Sequence, residues 1–389
     1  MLPRSYLFLY KNIQYSSTEE GPFVEGYSPS MTSYLYTIKE KITEKDKQWD
    51  SYKKYTNPYE YIHTTVPMKK KSVSKYKPLS RSFFKMVEII HTFRLYFHKD
   101  PIQTFHLAEG PGGFIEAMAY MRENKADKYI GMTLLDTARN DPNIPAWKKS
   151  ENFFRSYPNV SLENGADHTG NLLSVENFEY VVAKYQKMDL ITADGGFDFS
   201  FDFNQQEHMI GRLLFAQMAF ALCLNKYKGH FILKIFDCFL PHTVDILYIL
   251  SSFYEKVYIM KPNTSRYANS ERYIVCTGFL FDSHTGFYPY LLAAFKDMCQ
   301  DFGSPFRFLN IDVSQFFIKK VEEFNAIFGQ KQIQNITYTL SLMENKGKLD
   351  KIENLIQTNI QKSMDWCNRF HIPYHILNTP VNLFVEAES

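Results

Sequence analysis

Cysteine is scarce in this 389-residue sequence, and the five present (Cys223, Cys238, Cys276, Cys299 and Cys367) form no CxxC or other metal-ligand spacing. An odd, scattered set excludes a disulfide framework and a zinc ribbon, and is expected to stay reduced inside a cell. No metal therefore enters the expected chemistry. Long apolar runs are also lacking: none approaches the ~18 residues that span a bilayer, so no membrane is expected. The opening stretch MLPRSYLFLYKN has no small-residue cleavage site, which argues against a signal peptide. Net charge is nearly absent at +2. That average hides a basic block, because Val66 to Lys85 holds seven basic residues and no acidic one: Lys69, Lys70, Lys71, Lys75, Lys77, Arg81 and Lys85. Such a block attracts phosphates, and it equally suits a solvated loop or an import signal.

Aromatics, by contrast, are plentiful, with 34 Phe and 27 Tyr. Most are expected in the core and a few exposed ones against bases. Residues 1–75 read as an N-terminal extension with one helix near Tyr36–Lys53 and no strong strand alternation. From 76 to 285 short apolar runs alternate with helical spacing. The runs are Thr104–Ala108, Lys128–Leu134, Val160–Leu162, Met188–Ala193, His230–Phe236, Lys256–Met260 and Tyr273–Leu280; helical segments include Met86–Phe97, Phe114–Met121 and Gly211–Leu224. This pattern predicts an α/β fold with a seven-stranded, mostly parallel sheet and helices on both faces. Only the loop Lys261–Arg272 separates the last two runs, so they are expected to pair antiparallel at one edge. Residues 286–389 read as a mainly helical region, in which Ile352, Leu355, Ile356 and Ile360 form a stripe expected to pack on the parent domain.

Within the first strand–helix junction lies Phe105-His-Leu-Ala-Glu-Gly-Pro-Gly-Gly-Phe114. Glycines here let backbone approach a ligand, and the helix start offers N–H groups. The turn is neither GxGxxG nor GxxxxGK[ST], which weakens dinucleotide and ATP readings. It resembles the first motif of the FtsJ-type (RrmJ-like) RNA 2′-O-methyltransferases. That resemblance implies a Rossmann-like fold and an S-adenosyl-L-methionine site at Glu109, Gly110, Pro111, Gly112, Gly113 and Phe114. Glu109 either faces the cofactor's ammonium group or bonds amides in the turn. Gly131-Met-Thr-Leu-Leu-Asp136 resembles the family segment lining ribose and adenine, implicating Thr133, Leu134 and Asp136. Gly165-Ala-Asp-His-Thr-Gly170 resembles the family's GADGTG, placing Asp167 near the adenine, with His168 where glycine is common.

Four further residues complete the resemblance: Lys85 opening an apolar helix, Asp194 closing the fourth strand, Lys234 inside the fifth, and Glu271 opening the last. Singly, three of these read as a helix lysine, a turn aspartate and a strand-edge carboxylate. Lys234 is the awkward one, because an unpaired ammonium inside a buried strand is costly. In chain order the four match the family's Lys-Asp-Lys-Glu tetrad, and Asp194 also borders the cofactor. The chemistry suits a weak nucleophile such as a ribose hydroxyl, with Lys234 either accepting its proton or orienting it electrostatically.

Lys261-Pro-Asn-Thr-Ser-Arg-Tyr-Ala-Asn-Ser-Glu-Arg-Tyr273 resembles the KP-x-x-SR-x-x-NSE-x-Y segment of cap-specific mRNA 2′-O-methyltransferases and related ribosomal-RNA enzymes. On this resemblance the substrate is 5′-capped mRNA, converted from cap-0 to cap-1. Arg266, Asn269 and Ser270 would line the RNA groove, and Lys69, Lys70, Lys71 and Arg81 would meet phosphates. A ribosomal- or transfer-RNA ribose methyltransferase and a non-catalytic RNA-binding subunit are the other readings. The terminal regions fit cap capture or docking of other capping or transcription proteins. A Lys-, Asn-, Tyr- and Phe-rich composition suggests an A+T-rich genome such as that of a large DNA virus. Cytoplasm, viral factory or virion is then the expected location, with the nucleus left open.

Overall fold

The computed structural model describes residues 1–377 apart from 8, 19–25, 97, 137–140, 142–143, 145, 197–203, 302 and 346–348. In chain order the strands are β1 (Ile13–Thr18), β2 (Gln103–Leu107), β3 (Lys128–Met132), β4 (Val160–Glu163), β5 (Met188–Ala193), β6 (Asn225–Ile235), β7 (Tyr254–Met260), β8 (Arg272–Phe279) and β9 (Ser304–Leu309). The helices are α1 (Pro29–Thr43), α2 (Asp46–Tyr55), α3 (Ser82–Phe93), α4 (Gly113–Arg122), α5 (Glu151–Ser156), α6 (Val175–Lys184), α7 (Gln206–Leu224), α8 (Pro241–Phe253), α9 (Tyr288–Gln300), α10 (Gln315–Glu344) and α11 (Leu349–Arg369).

All seven apolar runs become the strands of one sheet, ordered β4-β3-β2-β5-β6-β8-β7. Every residue of β5 is buried, as a parallel strand covered on both faces must be. β8 runs antiparallel to both β6 and β7, so the expected edge pair exists, with β8 inserted between β6 and the edge strand β7. Strand order reverses between β2 and β5, and the crevice outside the carboxyl ends of strands at such a switch point is where open α/β sheets bind ligands. Helix α7 is apolar nearly all round because it is buried nearly all round.

The terminal regions depart from expectation. The single helix near Tyr36–Lys53 is two helices, α1 and α2, broken at Glu44 and Lys45. The extension also holds a strand: β1 pairs antiparallel with β9 of the C-terminal region in a separate two-stranded sheet. The α3 helix starts earlier than Met86, at Ser82, and ends at Phe93, where Arg94 turns left-handed at φ 53°; Phe97 lies outside the described residues. The stripe on α11 faces inward, with Ile360 fully buried and Ile352, Leu355 and Ile356 half-buried.

Candidate active site

The sheet register assembles the reaction centre. On β5 and β6 Ala193 pairs with Leu233, which brings the next residues, Asp194 and Lys234, together at the carboxyl edge. On β6 and β8 Lys234 pairs with Tyr273, two residues beyond Glu271. Lys234 Nζ donates to the Asp194 carbonyl at 2.6 Å and lies 3.3 Å from Asp194 Oδ1. Tyr273 donates its hydroxyl to the same Oδ1 at 2.9 Å. A Cβ on Gly196 would sit 3.2 Å from Lys234 Nζ, so the glycine leaves the ammonium its space. Burial costs Lys234 little here because it has acceptors, which resolves the awkwardness of a lysine between Leu233 and Ile235.

Lys85 reaches the centre from the first turn of α3 and donates to Glu271 Oε2 at 2.7 Å, while Ser265 donates to Glu271 Oε1 at 2.8 Å. Burial pushes the Glu271 carboxyl upward, but Lys85, Lys234 and Lys261 outweigh it and hold the group at about 2. All four tetrad residues therefore converge as two ion pairs, Lys85–Glu271 and Lys234–Asp194.

Around this centre the loop between β7 and β8 is held from every side. Glu88, one turn after Lys85 on α3, accepts from the Asn263 backbone and side chain at 2.8 Å each, and from Thr264 and Trp366 at 3.3 Å. Lys261 donates to both oxygens of Asn269 (2.6 and 2.7 Å) and to the Glu271 carbonyl (2.9 Å). Burial lowers the Lys261 ammonium to about 7, opposed by Glu271. Buried Asp237 collects Lys39 from α1 at 3.0 Å, Ser270 at 2.8 Å and Arg272 at 3.4 Å. Gln332 of α10 donates to the Ala268 carbonyl at 2.9 Å. The terminal regions thus brace the loop that delivers Glu271. Sequence reading missed Glu88, Lys261, Ser265 and Tyr273, although all but Glu88 stand within or beside the quoted KP…SR…NSE…Y segment.

This bracing corrects part of the expected RNA surface. Ser270 is 1% exposed and spent on Asp237 and Gln332, so it cannot line a groove. Arg81 and Arg266 both grip Glu60, which is fully buried: Arg266 bidentately at 2.8 and 3.0 Å, Arg81 at 3.1 and 3.2 Å. Burial alone would raise the Glu60 carboxyl, yet the two guanidinium groups hold it well below the carboxylate range. Both arginines spend part of their donor set inside the protein. Asn269 stays exposed with Oδ1 on Lys261, and Lys69, Lys70 and Lys71 stand exposed on a turn closed by Val66 N–H to the Lys71 carbonyl at 2.9 Å.

At the β2–α4 turn the structure shows one of the two Glu109 alternatives, the bonding of turn amides. Oε1 accepts from the Phe114 and Ile115 amides, so the N–H groups expected to be free at the helix start are partly spent. Oε2 is buried with no partner among the described residues. Burial and nearby Asp194 push this carboxyl well above its usual value. Gly112 adopts φ +110°, which L side chains rarely tolerate. At Gly113 the space is taken by protein rather than ligand: a Cβ would fall 2.1 Å from Ser82 Oγ, so this glycine packs α4 against α3. Gly110 likewise sits under the Ala146 carbonyl. Gly110 and Pro111 are half-buried at the turn, and Phe114 is fully buried beside the Tyr273 ring, 5.8 Å between centroids.

Beyond β3, Thr133 is buried and Leu134 is 44% exposed, an apolar surface beside the turn. Asp136 accepts from Lys148 at 2.6 Å and from the Asp141 amide at 2.9 Å. Asp167 accepts from Thr169 N, Thr169 Oγ1 and Asn177 Nδ2 at 2.7 to 2.8 Å; burial opposes ionisation, and these bonds outweigh it and lower the carboxyl. His168 has φ +60°, which accounts for glycine being common at that position of the motif. An orphaned buried carboxylate oxygen, a left-handed glycine turn and an exposed leucine in one crevice fit the ammonium, methionine backbone and adenine of S-adenosylmethionine. Glu109, Pro111, Gly112, Thr133 and Leu134 would hold it, while the space at Gly110 and Gly113 is filled by protein.

Comparison with known proteins places the chain among its relatives. The FtsJ-like methyltransferase family pattern matches residues 78–279. A cap-specific mRNA (nucleoside-2′-O-)-methyltransferase 1 of Trypanosoma cruzi (strain CL Brener) is 38% identical over 176 residues, covering 44% of this chain and 46% of its own. The cap-specific mRNA (nucleoside-2′-O-)-methyltransferase 1A of Caenorhabditis briggsae is 29% identical over 263 residues, covering 65% of this chain and 30% of its own. The inactive cap-specific mRNA (nucleoside-2′-O-)-methyltransferase 1B of the same organism is 27% identical over the same length. The chain thus spans less than half the length of these curated relatives. With just over half of its residues matched to the family pattern, the protein belongs to the FtsJ-like methyltransferase family.

Proposed function

We propose that the protein methylates the ribose 2′-oxygen of the first transcribed nucleotide of capped mRNA. The observation that carries the reading is the pair of ion pairs, Lys85–Glu271 and Lys234–Asp194, at the carboxyl edge beside the glycine turn. S-adenosylmethionine, the cofactor of the family, supplies the methyl group from its sulfonium. Lys234 has three N–H donors and gives two directions to Asp194, leaving one for the ribose hydroxyl. That donor fixes the oxygen and stabilises the charge developing on it as the hydroxyl proton passes to solvent water and the methyl group leaves the sulfonium, which becomes a thioether. Lys85, locked by Glu271, adds a second positive charge nearby, and Tyr273 steadies Asp194. Holding both reactants in line supplies much of the acceleration.

The reading of a retired, RNA-binding subunit has a specific relative in its favour, the inactive 1B protein. Against it, this chain retains every tetrad member in bonding contact. Because the inner faces of the terminal regions brace the catalytic loop, docking by other capping or transcription proteins is assigned to their outer faces, where Phe316 and Leu349 are exposed. Methyl transfer from labelled cofactor to a short cap-0 RNA, with the modified nucleotide mapped, tests the function. Incorporation at the first transcribed ribose supports it; incorporation only into uncapped ribosomal or transfer RNA replaces it.

A further inference from the structure

Between the 261–272 loop and α10 lies a cavity of about 450 Å³. The loop contributes Lys261, Asn263 and Tyr267; α10 contributes Phe328, Lys331 and Tyr338. The α10 residues recur at helical spacing and share one face. Such a stripe ordinarily packs into a core, but here it remains open: Phe328 and Tyr338 are half-buried and Lys331 is exposed. Among the described residues two lysines and no carboxylate line the cavity. Lys351 of α11 adds a cation 5.2 Å over the Tyr338 ring. Among the described residues Lys331 has no ion-pair partner, so its charge is available.

Rings for stacking and the Lys331 ammonium for a phosphate together describe a site for one nucleotide of a single strand; the donors of Lys261 and the Asn263 amide are already engaged inside the protein. Lys261 joins this cavity to the reaction centre, because the side chain that lines it also donates to the Glu271 carbonyl at 2.9 Å. The geometry points to a subsite for a nucleotide of the RNA next to the one methylated, its base on Tyr267 or Tyr338 and its phosphate on Lys331. This inference rests on the RNA-methylating reading above and extends its substrate contacts to the C-terminal region.

The test measures binding of a fluorescent capped RNA of about eight nucleotides to the full chain, separately from methyl transfer. Tyr338→Ala is expected to weaken binding on the order of tenfold, and Tyr338→Phe, which keeps the ring, to bind like the parent. For Lys331→Gln, the slope of log affinity against log salt is expected to fall by about 0.7, one phosphate contact on a single strand. Cofactor affinity measured on the same variants confirms that they are folded. Alanine and glutamine variants that bind within about twofold of the parent, with the parental salt slope, overturn the subsite. If the parent binds RNA in this way but methylates none, the subsite stands and the proposed function falls; if it methylates capped RNA while these variants bind normally, the function stands and the subsite falls.

Discussion

Replacing Glu271 by glutamine removes one negative charge while preserving shape, and the structure sets the size of the effect. The carboxyl ordinarily titrates near 4.5 and is held at about 2, with burial opposing ionisation and Lys85, Lys234 and Lys261 outweighing it. A depression of that size corresponds to about 3 kcal/mol of folding stability at neutral pH. Because the folded pKa lies below the unfolded one, the contribution is complete above about pH 4.5 and is lost as pH falls toward 2. Glu271→Gln is therefore expected to be destabilised by about 3 kcal/mol at pH 7 and to converge with the parent near pH 2. Urea unfolding at several pH values between 7 and 2 measures both curves. Parallel curves, with the same deficit at every pH, would refute the claim that three lysines stabilise this carboxylate.

Further outcomes follow from the same geometry. Lys234→Ala is expected to lower kcat about 10²- to 10⁴-fold while keeping cofactor affinity, measured by single-turnover kinetics and calorimetry. Lys234→Arg, whose planar guanidinium is bulkier beside Gly196 and cannot place a donor where the ammonium does, should fail as well. Glu109→Leu removes the orphaned buried oxygen and should weaken cofactor binding by about 2 kcal/mol or more, read by calorimetry; equal affinity would detach Glu109 from the cofactor. Glu60→Gln leaves Arg81 and Arg266 facing each other across a partly exposed site, so a loss of about 2 kcal/mol in urea unfolding is expected, with a fall in kcat as the Glu271 loop loosens. His168→Gly should gain up to about 1 kcal/mol, because glycine accepts φ +60° without strain.

Much of the sheet was legible because buried parallel strands write themselves as short apolar runs, and all seven runs became strands. The tetrad was legible as a resemblance, since Lys85, Asp194, Lys234 and Glu271 carry their identity in neighbouring motifs. What could not be read were partnerships across long separations. Nothing near Glu60 announces that it binds Arg266, 206 residues away, or that Ser270 turns inward to Asp237. Polar residues within a motif look like ligand contacts whether they face the ligand or brace the loop that does. Strand β1 was invisible for a related reason: as a two-stranded edge pair with β9 it has little buried face, and in Ile13-Gln-Tyr-Ser-Ser-Thr18 the apolar alternation stops after Tyr15. The setting of Glu109 likewise depends on the backbone of the turn, with one oxygen bonded to two amides and the other without a partner among the described residues.

The most direct test of the account is labelled methyl transfer to a short cap-0 RNA by the parent chain and by Lys234→Ala side by side, with the product digested to nucleosides. The account predicts a single 2′-O-methylated ribose at the first transcribed position from the parent and at least a hundredfold less from the variant (about 2.7 kcal/mol of lost transition-state stabilisation). Turnover by Lys234→Ala close to that of the parent, or methyl groups found on bases instead of ribose, would contradict it.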